Sequence, residues 1–432
     1  MTISLQWRIK YWSNTTAAVD LTTDVQSLTI NTEVNIGLCG RSMATIVLDN
    51  NDGAFTPQGT GTYANIDWFK VAFQIEQKSA TGLYKTSFVG MVNDANFEFV
   101  SIKESKLTLS LVDILAVGGR SNATTAFATT ILSTSASQAL GYFYNGYTDS
   151  GNVYYSGIDM PFIGGTAEST LSVSATTTEK TTVTNDDFPA GRIGDWTNNN
   201  LLVTGPGTVY ATGLTLIGTV WRWDCRYVDF DLNQISGNAE TYIFSDTAAP
   251  LVSGELPYTT IDLQYEYDMV VNSCTAADQR NVYIQTTVTD TASTAKYGTR
   301  TVAFNSLCTE QQTDVNRVAN FWPNRYSTAR YTCKTLTTSL STLKQAVDNS
   351  FANDQFSKLL SPLQGIWQRA EVSYVAPGQS TQKTELLVIN KISISATPSD
   401  TTVVISFIPG VDNQSFELNS STYGILDTNR IA

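Results

Sequence analysis

The amino-acid sequence predicts a mainly β protein with a few helices, a β-dominated α+β chain of several domains. Three observations carry that reading. Twenty Tyr, 18 Phe and 8 Trp stand among abundant Thr and Val, residue types that fit a pleated, half-buried surface. Short runs of alternating apolar and polar residues recur between Gly, Asn and Asp clusters, the pattern of strands and turns. The chain has 432 residues, more than one core usually organises, so about two to four domains are expected.

The N-terminal run predicts a strand in which Ile3, Leu5, Trp7, Ile9 and Tyr11 share one face and Ser4, Gln6, Arg8 and Lys10 the other. Further strands are predicted at 45–48, 70–76, 86–92 and 107–112. The first of these runs into Asp49-Asn50-Asn51-Asp52-Gly53, whose short polar side chains and glycine build a tight turn. Together these elements form a first domain, 1–117, read as a barrel or sandwich. From Gly118-Gly119 to about 214 the chain is rich in Thr, Ser and Asn, and an inserted β-rich lobe is expected, with a helix at 126–138. The polar runs Thr176–Thr178 and Asn198–Asn200 break its periodicity, and Asp186 to Gly191 reads as a loop. An aromatic-rich β subdomain, 215–259, follows, with strands at 220–223 and 227–232.

The fourth predicted domain, 260–410, combines strands with helices. Thr309 is placed to cap a helix in which Val315, Val318, Ala319 and Trp322 follow helical spacing, with Pro323 as its stop. A second helix is expected through Leu340, Leu343, Val347 and Phe351. Strands resume at 370–374, 386–389, 391–395 and 403–408. Pro409-Gly410 then breaks the ladder. The remaining 411–432 carries Phe416, Leu418, Tyr423, Ile425, Leu426 and Ile431 amid Asn, Ser and Thr. Large apolar residues on a loose end call for a partner, so the segment is expected to dock as an extended arm on a neighbouring subunit or another protein. Phe416, Leu418, Tyr423, Ile425 and Leu426 are its expected partner-binding residues. Packing back on its own domain is the alternative.

The formal net charge is −13, which opposes gripping nucleic acid through its phosphates but suits a surface that nucleic acid must slide past. Five widely spaced cysteines without a Cys-x-x-Cys pair predict neither a disulfide framework nor a zinc site, and fit a reducing compartment. The N-terminus lacks the pattern of a signal peptide, and no apolar run reaches the ~18 residues of a membrane helix.

The chain contains no histidine, which removes Ser-His-Asp and Cys-His catalysis and His-based zinc sites. Paired carboxylates could still hydrolyse glycosides, and Asp186, Asp187, Asp224, Asp229 and Asp231 are the candidates. Strand neighbours face opposite sides, so Asp186 and Asp187 do not converge in a regular strand. Asp229 and Asp231 share a face, as a calcium site or as solvated carboxylates. The Asp49–Gly53 turn lacks the EF-hand glycine, having Ala54 in its place, and lacks the later glutamate, having Thr60. The glycine pairs at 118–119 and 164–165 lack phosphate-loop spacing. Trp221 and Trp223 share a strand face, for burial or for stacking on sugars or bases. No catalytic, cofactor or metal residues are assigned, and no cofactor is expected.

Three separated stretches are similar to the hub ("minor tail") proteins at the distal end of long-tailed bacteriophage tails. Residues 44–55, Ala-Thr-Ile-Val-Leu-Asp-Asn-Asn-Asp-Gly-Ala-Phe, resemble that family's N-terminal turn. Residues 296–301, Lys-Tyr-Gly-Thr-Arg-Thr, resemble its Tyr-Gly-x-Arg element, and 416–427 its closing Gly-x-Leu-Asp tail. The resemblance implies tube-type β domains at 1–117 and 260–410. It implies a homotrimeric, pseudo-sixfold baseplate ring that caps the tail tube, adapts symmetry and leaves a channel for DNA. The implied partners are the distal tail ring, the tape measure and tip or fibre proteins. The implied location is the virion tail tip, assembled in the host bacterial cytoplasm. No specific nucleic-acid binding, membrane insertion or enzymatic reaction is expected. The other readings are a tail-associated glycan hydrolase and a receptor- or carbohydrate-binding β module.

Overall fold

The computed structural model describes residues 7–409 with breaks, of which the larger lie within 125–189, 230–240 and 247–251 and shorter ones at 14–16, 79–81, 102–103, 205–206, 280, 310, 330, 376–377, 379 and 398. Residues 1–6 and 410–432, and with them Phe416, Leu418, Tyr423, Ile425 and Leu426, lie outside the described residues.

The protein is dominated by strands. Its first segment supplies β1 (Trp7–Trp12), β2 (Val19–Asp20), β3 (Val25–Glu33), β4 (Arg41–Asp49), β5 (Ala72–Lys78), β6 (Tyr84–Ser101), β7 (Glu104–Val112) and the short helix α1 (Ile114–Gly118). Trp7, Ile9 and Tyr11 point inward as their alternation predicts. The middle of the chain contributes α2 (Ala136–Asn145), β8 (Ser169–Ala175), α3 (Ile193–Thr204), β9 (Gly207–Ile217) and β10 (Val220–Asp229). There β8, β10 and β9 form a three-stranded sheet in that order, with α2 and α3 packed into a second core around Phe143, Trp196 and Trp223.

The remaining elements are β11 (Thr241–Asp246), β12 (Glu255–Tyr258), β13 (Thr260–Tyr265), β14 (Ser273–Asp278), β15 (Gln285–Thr289), α4 (Thr291–Tyr297), β16 (Thr301–Leu307) and α5 (Gln312–Tyr326). They end with β17 (Tyr331–Ser339), α6 (Asn349–Leu359), β18 (Arg369–Tyr374), β19 (Lys383–Ala396) and β20 (Thr401–Pro409).

Strands from both ends of the chain join one 14-stranded sheet. Its main path runs β13–β17–β20–β19–β3–β4–β7–β6–β5–β1. The join is β19 against β3, antiparallel, with Ile394 opposite Ile30. A bulge in β19 between Ile389 and Lys391 lets one strand serve two neighbours on the same side. Its first half pairs with β18 and its second with β3, and at the fork Val34 N donates to Asn390 O at 2.8 Å. The path is open, with β1 and β2 at one end and β13 at the other, so the described strands do not close into the barrel that was one sequence expectation. Closing a barrel needs the end strands to meet, and here they do not pair.

Several predicted boundaries move for local reasons. The helix expected at 126–138 is not formed there: Phe127–Ala128 and Ser133–Ser135 are strands, and α2 begins only at Ala136, capped by Ser135, whose hydroxyl accepts from Gln138 N. The stripe that buries it is Leu140, Phe143 and Tyr144. Helix α5 continues a turn beyond Pro323, where Ser327 N donates to Pro323 O. The second predicted helix is interrupted, running over Leu340–Leu343 and again as α6. The strands expected at 386–389 and 391–395 are one strand joined through the bulge. The asparagine run 198–200 lies within α3 and staples three segments. Asn198 Oδ1 accepts from Cys39 N, Asn199 Oδ1 accepts from Cys308 N, and Asn200 Nδ2 donates to Ala136 O.

Candidate functional site: an open sheet face

Register across the join decides what each face of the main sheet presents. One row reads Thr338, Val403, Ile394, Ile30, Ala44 and Leu111 from β17 to β7. All six are buried, and they belong to one core cluster or border it. Because side chains alternate, the next rows face the other way. They read Thr337, Val404, Ser393, Asn31 and Met43, then Thr402, Ser395, Thr29, Thr45, Ser110 and Asp94. Every one of these is exposed or half-buried. Among the described residues the main contacts of β3 and β19 are with strands, and β4 is met by the short α1 at its Ser42 end.

The chemistry of the face is unusual for so acidic a chain. Its middle is mostly Thr, Ser and Asn, with Val404 among them. Charges stand at its margins and are partnered across strands. Lys391 Nζ lies 3.3 Å from Glu33, and Lys106 Nζ lies 3.0 Å from Glu98. Arg41 is opposite Glu33 in the register. An Asn35 amide and these two cations hold the Glu33 carboxyl below its ordinary range. Asp49, Asp94 and Asp262 complete the set, so five acidic residues face three basic ones, a small negative balance. Such a surface attracts a polyanion little and repels it gently.

The turn at 49–53 braces one margin of this face. Asn50 is buried. Its side chain accepts from Phe55 N at 2.8 Å and donates to Ser105 Oγ at 2.8 Å. Asn51 Oδ1 accepts from Ser105 N, and Asp52 Oδ1 accepts from Ala54 N. Gly53 takes a φ of 75°, which favours glycine. Phe55 stacks on Tyr63 with centroids 4.7 Å apart. The turn is therefore spent on structure. At the far end of β4, Asp113 is fully buried and holds α1 to the sheet. Its carboxylate accepts from Ser42 N and, at 2.7 Å, from Ala116 N. Burial pushes this carboxyl up to about 6, although the N–H groups of Ala116, Ser42 and Leu115 pull downward.

Of the candidate carboxylates, Asp224 alone has a described side chain. Asp224 is tied to Arg222 Nε at 2.8 Å and to Thr215 Oγ1 at 2.8 Å. Asp186 and Asp231 fall outside the described residues. Among the described residues, no group of three His, Cys, Asp or Glu could hold a metal. Trp221 and Trp223 are 2% and 0% exposed, so they fill the second core and do not offer a stacking surface. All five cysteines are free. No helix among the described residues is long and apolar enough to cross a membrane. Sequence reasoning missed the open face itself. Its signal was present in the Thr and Ser positions alternating with core residues in β3, β19 and β20, but only the register unites them.

No family model matches the sequence, and no curated protein matches it. Among solved structures, the chain is similar to the tail protein from Neisseria meningitidis MC58, at 9% identity, covering 93% of this chain and 96% of that one with a TM-score of 0.49. It is also similar to the 43 kDa tail protein of prophage MuSo2 from Shewanella oneidensis, at 11% identity, 94% and 98% coverage and a TM-score of 0.48. The E. coli c3393 protein, a component of the type VI secretion system, matches at 10% identity, covering 90% of this chain and 74% of that one with a TM-score of 0.40.

Proposed function

We propose that this chain is a structural subunit of a phage-type tail tip, a hub whose copies close a ring around a passage for DNA. The observation that carries the reading is the continuous open face. Two β-rich segments, 1–117 and 260–410, are fused edge to edge through β3 and β19, and together they present one small-polar, weakly acidic surface. A sheet that is open at both ends and uncovered on one face invites neighbours. Copies of the chain that complete the ring would turn this face inward, where a polyphosphate can pass without adhering.

The three sequence stretches similar to hub proteins support the same reading. Three copies with two β units each give six units, which would match a sixfold tube to a threefold tip. The work of such a subunit is assembly and symmetry adaptation, with no reaction. Its contacts would be other tail proteins, and its place the virion tail tip. Native mass spectrometry of the purified chain, with imaging of the assembled particle, tests this. A trimer whose ring carries β3 and β19 toward the channel is expected. A monomer at all concentrations, or a ring of six copies, would overturn it.

A further inference from the structure

Beside the end of β20 lies a second surface that the ring reading leaves unused. Tyr265, Tyr267 and Met269 are 53%, 39% and 40% exposed, in the segment that leaves β13. Tyr267 meets Tyr297 edge to face at 5.9 Å, and the Arg300 guanidinium lies 3.9 Å over the Tyr267 ring. Met269 also lines a small pocket with Tyr326, Arg325 and Pro409, and Arg325 donates to Pro409 O at 3.0 Å.

This platform is aromatic and cationic. Lys296 sits 4.9 Å over the Tyr297 ring, joining Arg300 and Arg325. Of the nearby acids, Glu266 is held by Lys334 at 3.1 Å and Asp268 is exposed. In a chain of net charge −13, a patch with this balance selects an acidic, apolar partner. Aromatic rings with a guanidinium above them are favoured anchors at interfaces.

The segment 411–432 has that chemistry. It carries Asp412, Glu417 and Asp427 against one Arg430, with Phe416, Leu418, Tyr423, Ile425 and Leu426 between them. We propose that this segment of one copy docks on the tyrosine platform of a neighbouring copy, an inference that rests on the ring reading above. Length lets the segment reach a neighbour. The platform of the same chain begins at Pro409, which lines its pocket. Phe416 lies seven residues on, roughly 23 Å along an extended chain, and the whole segment reaches roughly 70 Å. An extended arm is long enough to carry its apolar residues past its own platform to the equivalent one next door, in the manner of a strand or peptide laid into a pocketed groove.

The test uses the full chain, with Tyr423 replaced by a benzoylphenylalanine photocrosslinker and isotopically heavy and light protomers mixed before assembly. Heavy-to-light crosslinks from position 423 to peptides within 262–300 are expected. The double variant Tyr267→Ala with Arg300→Glu, checked for retained secondary structure by circular dichroism, should lose them severalfold. Crosslinks confined to one chain, or landing elsewhere, in a protein whose native mass is still a trimer would overturn this inference and leave the ring standing. A protein that is monomeric at all concentrations would overturn both.

Discussion

Ile394→Ala tests whether the two halves of the sheet are one cooperative body. Ile394 is 4% exposed and faces Val403 on one side and Ile30 on the other, which are 0% and 1% exposed. The substitution removes buried apolar carbons from the middle of the β3–β19 join. Strands on both sides limit collapse into the gap, so a loss of about 3 kcal/mol is expected, within the range of about 2–5 kcal/mol for such truncations. Peptide-resolved hydrogen exchange is the assay. If the join makes one unit, amides of β3, β7, β19 and β20 share the loss, and their slowest exchange accelerates by about a hundredfold. The Ile30→Ala change should be non-additive with it, by at least about 0.5 kcal/mol, since the two side chains are directly opposed. Acceleration confined to 383–409, with 25–33 and 107–112 unchanged, would refute the reasoning. The segments would then be separate bodies that merely touch.

Three further outcomes are expected. Asp113 has a carboxyl raised by burial from 3.8 to about 6, so its contribution to stability is fully present below about pH 4 and is lost as pH rises through about 6. Asp113→Asn should remove up to about 3 kcal/mol of that pH dependence, read as the difference between the two proteins' denaturation midpoints across pH 4–7. Glu385 behaves oppositely. Burial pushes its carboxyl up, but Lys383, the Tyr374 hydroxyl, Cys333 N and the Thr332 hydroxyl outweigh it and leave it below its ordinary value. Its stabilisation is present above about pH 4.5 and is lost on acidification, so Glu385→Gln should cost about 1–3 kcal/mol at neutral pH and little in acid. On the open face, Asn31→Lys with Ser393→Lys places two cations side by side at the join. Salt-sensitive affinity for duplex DNA should appear by fluorescence anisotropy where the parent protein has little, and strong binding by the parent would contradict the role given to this face.

The sequence by itself determined the character of the protein and much of its local structure. Alternation in Trp7–Tyr11, Leu107–Leu111 and Val403–Phe407 identified strands and their buried sides, because a period of two belongs to the extended chain alone. The Asp49–Gly53 turn was legible for the same local reason, its side chains bonding backbone two residues away. The absence of histidine narrowed the chemistry by itself. Tertiary structure decided what these elements do together. Nothing near Ile394 indicates that it faces Ile30, 364 residues away, since pairing between distant strands leaves no periodic trace in either. The asparagines of 198–200 read as a break in periodicity because their partners, Cys39, Cys308 and Ala136, come from elsewhere in the chain. Trp221 and Trp223 could be placed on one face by alternation, but burial against α2 and β9 is a property of the fold. The open face is the strongest case. Each of its Thr, Ser and Asn positions is the ordinary outward half of an alternating strand, and only the register across β3 and β19 turns them into one continuous surface.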